Sequence, residues 1–107
     1  MEKRRLGRTG LKVSLIGMGG IPIQRVGRED AKAVVSAAIA AGINFFDSAR
    51  GYTDSEEKFG LALGLQRDDI YVATKSMARG RDEMARDIDA SLHNFKRDYV
   101  DLYQLHN

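Results

Sequence analysis

Ile43-Asn44-Phe45-Phe46-Asp47-Ser48-Ala49-Arg50-Gly51-Tyr52-Thr53-Asp54-Ser55-Glu56 holds a strand, a loop and the start of a helix in one continuous run. Ile43, Phe45 and Phe46 form an apolar segment behind Gly42, which reads as a buried strand. The run turns polar at Asp47, passes through Gly51 and Tyr52, and enters a helix at Asp54-Ser55-Glu56-Glu57. Asp54 is expected to cap that helix, with Glu57 three residues on and acids in its first turn. An acid at a strand end followed by a tyrosine on the loop puts two titratable groups at one edge of a sheet. Parallel α/β proteins keep their chemistry at that edge.

Working outward, the same unit recurs. Upstream, Arg4 to Ser14 reads as a hairpin turning through Gly7-Arg8-Thr9-Gly10, with Leu6, Leu11 and Val13 flanking the turn. Leu15-Ile16-Gly17-Met18 is expected as a short strand closed by Gly19-Gly20, and the segment around Pro22 as a loop. Between Glu29 and Ala41 the residues Ala33, Val34, Ala37, Ala38 and Ala41 recur at helical spacing, and Gly42 ends the helix. Downstream, Phe59, Leu61, Ala62 and Leu65 give the helix after Asp54 an apolar face. Ile70 to Thr74 is a third strand ending in Lys75-Ser76. A third helix spans about Arg81 to Phe95, with Met84, Ile88, Leu92 and Phe95 at helical spacing, and Tyr99 to His106 is a fourth strand. Strand ends fall roughly 28 to 31 residues apart, enough for a strand, a helix and two short loops. The order is a β-hairpin followed by β-α-β-α-β-α-β, an α/β chain with a parallel sheet and right-handed crossovers. A closed barrel of eight such units takes ~250 residues, so residues 1–107, at most one domain, read as the first half of something larger, such as a (β/α)8 barrel truncated after its fourth strand.

Composition narrows the function classes. The chain is 43% hydrophobic and 30% charged, and its 17 basic and 15 acidic residues are interspersed. No basic stripe argues for nucleic acid or a membrane surface. There is no cysteine, which removes thiolate metal sites, disulfides and cysteine catalysis. The two histidines, His93 and His106, are too far apart for a local metal motif. No stretch has the apolar length of a membrane span, and a soluble, cytoplasmic chain is expected.

Three strand ends carry polar groups: Asp47, Lys75 and His106. In a parallel sheet the C-terminal strand ends share one edge, so these three can meet Tyr52 there. A free phenol, with a pKa of ~10, is a poor proton donor at neutral pH. An ammonium beside it favours the phenolate. An aspartate paired with the lysine keeps that ammonium in place, and a histidine can hydrogen-bond a substrate oxygen. The set can protonate a carbonyl oxygen while another group delivers hydride. Taken singly, each has a plainer reading: Asp47 as a turn residue, Lys75 as a solvated strand end, His106 as a satisfied hydrogen-bonding group, Tyr52 as cover for the sheet edge. Convergence of all four favours chemistry.

Gly17-Met18-Gly19-Gly20 invites comparison with a dinucleotide-binding glycine loop. Pro22 stands where that fingerprint needs a glycine or alanine opening a helix, and Asp47 follows at more than the usual ~20 residues. Gly19 and Gly20 are better read as backbone that a cofactor can approach closely.

The chain resembles the aldo-keto reductases along its whole length. Arg5-Leu6-Gly7-Arg8-Thr9-Gly10-Leu11-Lys12-Val13-Ser14 is similar to that family's N-terminal hairpin. Phe46-Asp47-Ser48-Ala49, Tyr52 and Ser55-Glu56 resemble its Asp-(Thr/Ser)-Ala…Tyr-Gly-x-Ser-Glu signature. Ala73-Thr74-Lys75 and Asp101-Leu102-Tyr103-Gln104-Leu105-His106 resemble its third- and fourth-strand signatures. One departure stands out: Thr53 follows the tyrosine where the family has glycine. The resemblance implies Tyr52 as general acid, Lys75 assisting its proton release, Asp47 pairing with Lys75, and His106 orienting a small-molecule carbonyl substrate. It implies NADP(H) bound across the barrel mouth, touching Gly19, Gly20 and Asp47, with most cofactor contacts coming from the barrel's second half. Residues 1–107 alone are then expected to be inactive and to self-associate through open sheet edges. The alternative is a non-catalytic half-barrel that binds or assembles, with closure as a homodimer as one form of it.

Overall fold

The computed structural model describes residues 1–64 and 68–107. Its elements are β1 (Lys3–Arg5), β2 (Lys12–Ser14), β3 (Met18–Gly19), a 3-10 turn (Pro22–Arg25), α1 (Arg28–Ala40), β4 (Phe45–Asp47), α2 (Ser55–Leu63), β5 (Tyr71–Ser76), α3 (Arg81–Phe95) and β6 (Leu102–Leu105). Strands β3, β4, β5 and β6 form one sheet in sequence order, every neighbour parallel. This is the first arc of a (β/α)8 barrel. No helix among the described residues is long and apolar enough to cross a membrane.

The hairpin pairs Arg4 with Val13 in antiparallel register, and its turn places Gly7 and Gly10 at positive φ. Asn44, buried just before β4, fastens the hairpin to the sheet. Its Oδ1 accepts from the Ser14 amide at 2.7 Å, its Nδ2 donates to the Lys12 carbonyl at 3.0 Å, and its amide donates to Ser14 Oγ at 3.1 Å. Each polar group of that buried pair is thereby answered, as burial requires.

Sheet parity sorts the side chains. Val72, Thr74 and Ser76 of β5 face the helices, whereas Ala73 and Lys75 face the concave side. Directly paired residues share a side, so Phe46 joins the first set and Gly19, Asp47 and Gln104 the second. The helix-facing side builds the core. Phe46 meets Phe59 of α2 edge to face at 5.7 Å, and Phe59 stacks on Phe95 of α3 at 6.4 Å. Val35 of α1 and Val72 complete that core, both fully buried.

Several boundaries differ from expectation, each for a local reason. Leu15 and Ile16 are not strand but an exposed bend, because Ser14 Oγ donates to the Ile16 carbonyl at 2.7 Å and turns the chain before β3 can pair. The Pro22 segment is a 3-10 turn that buries Ile23. On α1 the buried stripe is Ala31 and Val35, with Ala38 and Ile39 flanking it, while Ala33, Val34 and Ala37 are exposed. The second stripe is just as apolar. Val34 and Ala37 line, with Met18, Pro22 and Val26, a groove of about 630 Å³ beside the β3 edge.

On α2, Phe59 and Leu63 are buried and Leu61 is exposed; Leu65 lies outside the described residues. Asp54 does not cap α2 through its side chain. Its carboxylate pairs instead with Lys58 at 3.1 Å. Desolvation pushes the Asp54 carboxyl upward, but the hydrogen bond and charge of Lys58 outweigh it and hold the group below the ordinary range. α3 matches its expected span, whereas β6 is shorter, leaving Tyr99 exposed before it.

α2 and α3 touch backbone to backbone at Gly60, where an added Cβ would lie 2.0 Å from the Asn94 carbonyl oxygen. Gly60→Ala must push the helices apart and is expected to destabilise the fold by ~1–3 kcal/mol. An unchanged thermal midpoint in that variant would contradict this packing.

Candidate active site

Asp47, the last residue of β4, and Lys75, near the end of β5, both face the concave side. Lys75 Nζ donates to Asp47 Oδ2 at 2.6 Å and to the Ser48 carbonyl at 2.8 Å. The lysine side chain is 14% exposed and the aspartate 40%, so the pair sits at the mouth with water on one flank. A hydrogen bond this short between ionised partners is strong and holds the ammonium to one position.

Tyr52 reaches the same place from the loop. Its amide donates to the Ala49 carbonyl at 3.2 Å, and its own carbonyl accepts from the Ser55 amide at 2.8 Å. Upstream, the Ser48 and Arg50 amides donate to the Ala73 and Lys75 carbonyls, both at 2.9 Å, extending the β4–β5 ladder into the loop. The ring lands with Lys75 Nζ 4.9 Å from its centroid, within the range of attraction between a cation and an aromatic face. His106 meets the same ring at right angles, centroids 5.7 Å apart. The His106 amide is held by the Ser76 carbonyl at 2.9 Å, and its Nδ1 is buried without a hydrogen bond among the described residues. The structure thus places Asp47, Tyr52, Lys75 and His106 side by side.

Gly19 stands beside Asp47 in the sheet register, with open space where a side chain would be. Gly20 is different. A Cβ there would lie 2.3 Å from Ser55 Oγ and 2.8 Å from the Phe59 ring, so packing against α2 accounts for its missing side chain.

Thr53 has φ +44°, the left-handed region that glycine occupies freely and a β-branched residue occupies at a cost of about 1–3 kcal/mol. The departure at this position therefore changes the residue and keeps the glycine-type backbone. Thr53 Oγ1 donates to Gln24 Oε1 at 2.9 Å, tying the loop to the 3-10 turn.

Gln104 was not singled out from the sequence. Its Nε2 donates to Asp47 Oδ1 at 3.2 Å, so both carboxylate oxygens are held. The signal was available: Gln104 lies two residues before His106, and strand alternation sends both to the same face.

The profile of the Aldo/keto reductase family matches residues 15–107. The chain is 38% identical to L-galactose dehydrogenase of Arabidopsis thaliana, an alignment covering 100% of this chain and 38% of that protein. It is also 38% identical to D-galacturonate reductase of Fragaria ananassa, over 86% of this chain and 32% of that one. Among solved structures, the holo form of the aldo-keto reductase AKR11C1 from Bacillus halodurans superposes with a TM-score of 0.87 at 32% identity, covering 99% of this chain and 40% of its own. The chain thus spans well under half the length of the proteins it matches. With the barrel arc, the strand-end residues and the family profile in agreement, this chain belongs to the aldo/keto reductase family.

Proposed function

We propose that the protein carrying this chain reduces aldehydes or ketones to alcohols with NADPH, with Tyr52 as general acid. The observation that supports this most directly is the Lys75 ammonium, pinned by Asp47 at 2.6 Å and standing 4.9 Å from the Tyr52 ring, with the His106 ring at right angles to that ring and 5.7 Å away. A bound nicotinamide cofactor supplies the hydride. The residues described here serve the proton side of the same reaction. As the carbonyl oxygen gains charge, Tyr52 gives it the phenolic proton, and the product is an alcohol. Lys75 stabilises the phenolate left behind, and Asp47 and Gln104 keep Lys75 placed. His106 orients the substrate oxygen by hydrogen bonding.

The mouth fits such a pair of reactants. Gly19 leaves room beside the Asp47 carboxylate, and the His106 ring stands against the Tyr52 ring. We assign Gly19 and Asp47 to cofactor contact and Gly20 to the packing that holds them. The names of the two plant relatives, a galactose dehydrogenase and a galacturonate reductase, lead us to sugar-derived carbonyl compounds, handled in the cytoplasm, as the substrates to try first.

Tyr52→Phe in the full-length protein is expected to lower kcat by ~10²–10⁴-fold while NADPH still quenches or shifts fluorescence on binding. Near-parent turnover would remove Tyr52 from the role. Lys75→Met should do comparable damage, since an unassisted phenol is too weak an acid. Gln104→Leu should cost roughly tenfold, the scale of one hydrogen bond to a charged group, measured as kcat at saturating cofactor. Residues 1–107 produced alone should show no aldehyde reduction and should sediment as more than a monomer, because the β3 and β6 edges are unpaired. A compact, active monomer would overturn that expectation.

A further inference from the structure

Behind β5, on the side away from Lys75, lies a buried carboxylate that the proposed reaction does not use. Glu56, in the first turn of α2, is 1% exposed. Its Oε2 accepts from Thr74 Oγ1 and from Ser91 Oγ, both at 2.7 Å. Its Oε1 accepts from Asn94 Nδ2 at 3.1 Å and from the Arg50 guanidinium at 3.0 Å. Four elements meet at this one side chain: α2, α3, β5 and the loop that carries Tyr52. Around it lie Asp87, which accepts from Ser76 Oγ and stands 3.9 Å from Arg50 Nε, and the buried Tyr103 hydroxyl. Burial pushes the Tyr103 phenol up, and the charges of Asp87 and Glu56 add to that.

Burying a carboxylate is costly, and an apolar side chain of similar size often packs as well or better. Glue between helices therefore does not account for the choice of residue. The Arg50 contact does. Arg50 is held twice, to β5 by its amide on the Lys75 carbonyl at 2.9 Å and to α2 by its guanidinium on Glu56, which itself accepts from Thr74 of β5. Tyr52 sits between Arg50 and the Ser55-Glu56 helix start, so both ends of its turn are tied to one carboxylate. Thr74 and Lys75 are neighbours on the strand and face opposite ways. The strand that aims Lys75 at the ring thus also anchors the loop that supplies the ring.

We propose that Glu56 and Arg50 are positioning residues for Tyr52, forming a clasp that holds the phenol turn against Lys75 and His106. Its catalytic consequence rests on the reductase reading above; its geometric content does not.

The test uses the full-length protein and the variants Glu56→Gln, Arg50→Gln and Arg50→Lys, with Phe95→Leu as a destabilised control from the core. Measured are thermal midpoint, kcat and KM for aldehyde and NADPH, and the ring NMR signals of Tyr52, assigned by their loss in Tyr52→Phe. Breaking the clasp should lower kcat by about tenfold or more, the scale on which misplaced groups lose rate, with the KM for NADPH within about twofold. The Tyr52 signals should shift or broaden, and Arg50→Lys should recover part of kcat. Phe95→Leu should lower the midpoint without either change. Parent kcat and parent Tyr52 signals in Arg50→Gln would overturn the clasp, and that variant decides the matter even where Glu56→Gln does not fold. A parent protein that reduces no carbonyl compound would overturn the proposed function alone, and the Tyr52 signals would still decide the clasp.

Discussion

The parallel pairing of β4 with β5 is the constraint on which the rest depends. It sets Phe46 beside Val72 toward the helices and Asp47 beside Ala73 toward the concave side, and the ladder continues through Ser48 and Arg50 into the loop. From that register come the aromatic core, the lysine–aspartate contact and the entry angle of the tyrosine turn. None of these could be kept with the others lost. Loops are usually more mobile than the elements they connect, but here the scaffold's own hydrogen bonding runs three residues into the loop, as far as Arg50.

The two acids at either side of this ladder live under different rules. Asp47 remains partly in water and needs only two partners, a lysine and an amide, to be held. Glu56 is cut off from water, and every lone pair it uses is answered by protein. Exposed ion pairs are weakly stabilising and screened by salt, whereas a buried hydrogen-bonded one is sensitive to the loss of any single partner. The mouth thus keeps a charge within reach of water, while the carboxylate behind it is shut into protein.

Legibility in the sequence followed the same division between regular and particular. The approximate span of α3 could be read, because one apolar stripe and a polar remainder leave a single solution. α1 could not be oriented, since Ala31 and Val35 compete with Ala33, Val34 and Ala37, and a helical wheel has no means of choosing between two apolar stripes. β3 shrank to Met18 and Gly19 because an edge strand pairs on one side only and a serine hydroxyl diverted the chain before it. Asp54 looked like a cap, yet Lys58 one turn later offered it a charge. At the site, Asp47, Lys75 and His106 were visible because strand ends in a parallel sheet share an edge. Gln104 needed strand alternation to be applied once more. The Glu56–Arg50 contact needed three-dimensional knowledge, because the donors to Glu56 come from the loop, β5 and α3, three elements that no sequence spacing links to α2.

The alternation along β5 has a consequence for how this chain can change in length. Thr74 and Lys75 face opposite sides, so an insertion of one residue between Val72 and Thr74 would rotate everything after it by half a turn of the pleat. The ammonium would swing into the helical layer beside a carboxylate built for hydroxyls, and a hydroxyl would face Asp47. Loops such as Gly7–Gly10 or the turn before Arg81 can lengthen without touching that parity. Drift in size is therefore confined to the connections, and the interior of the strand can only exchange one side chain for another.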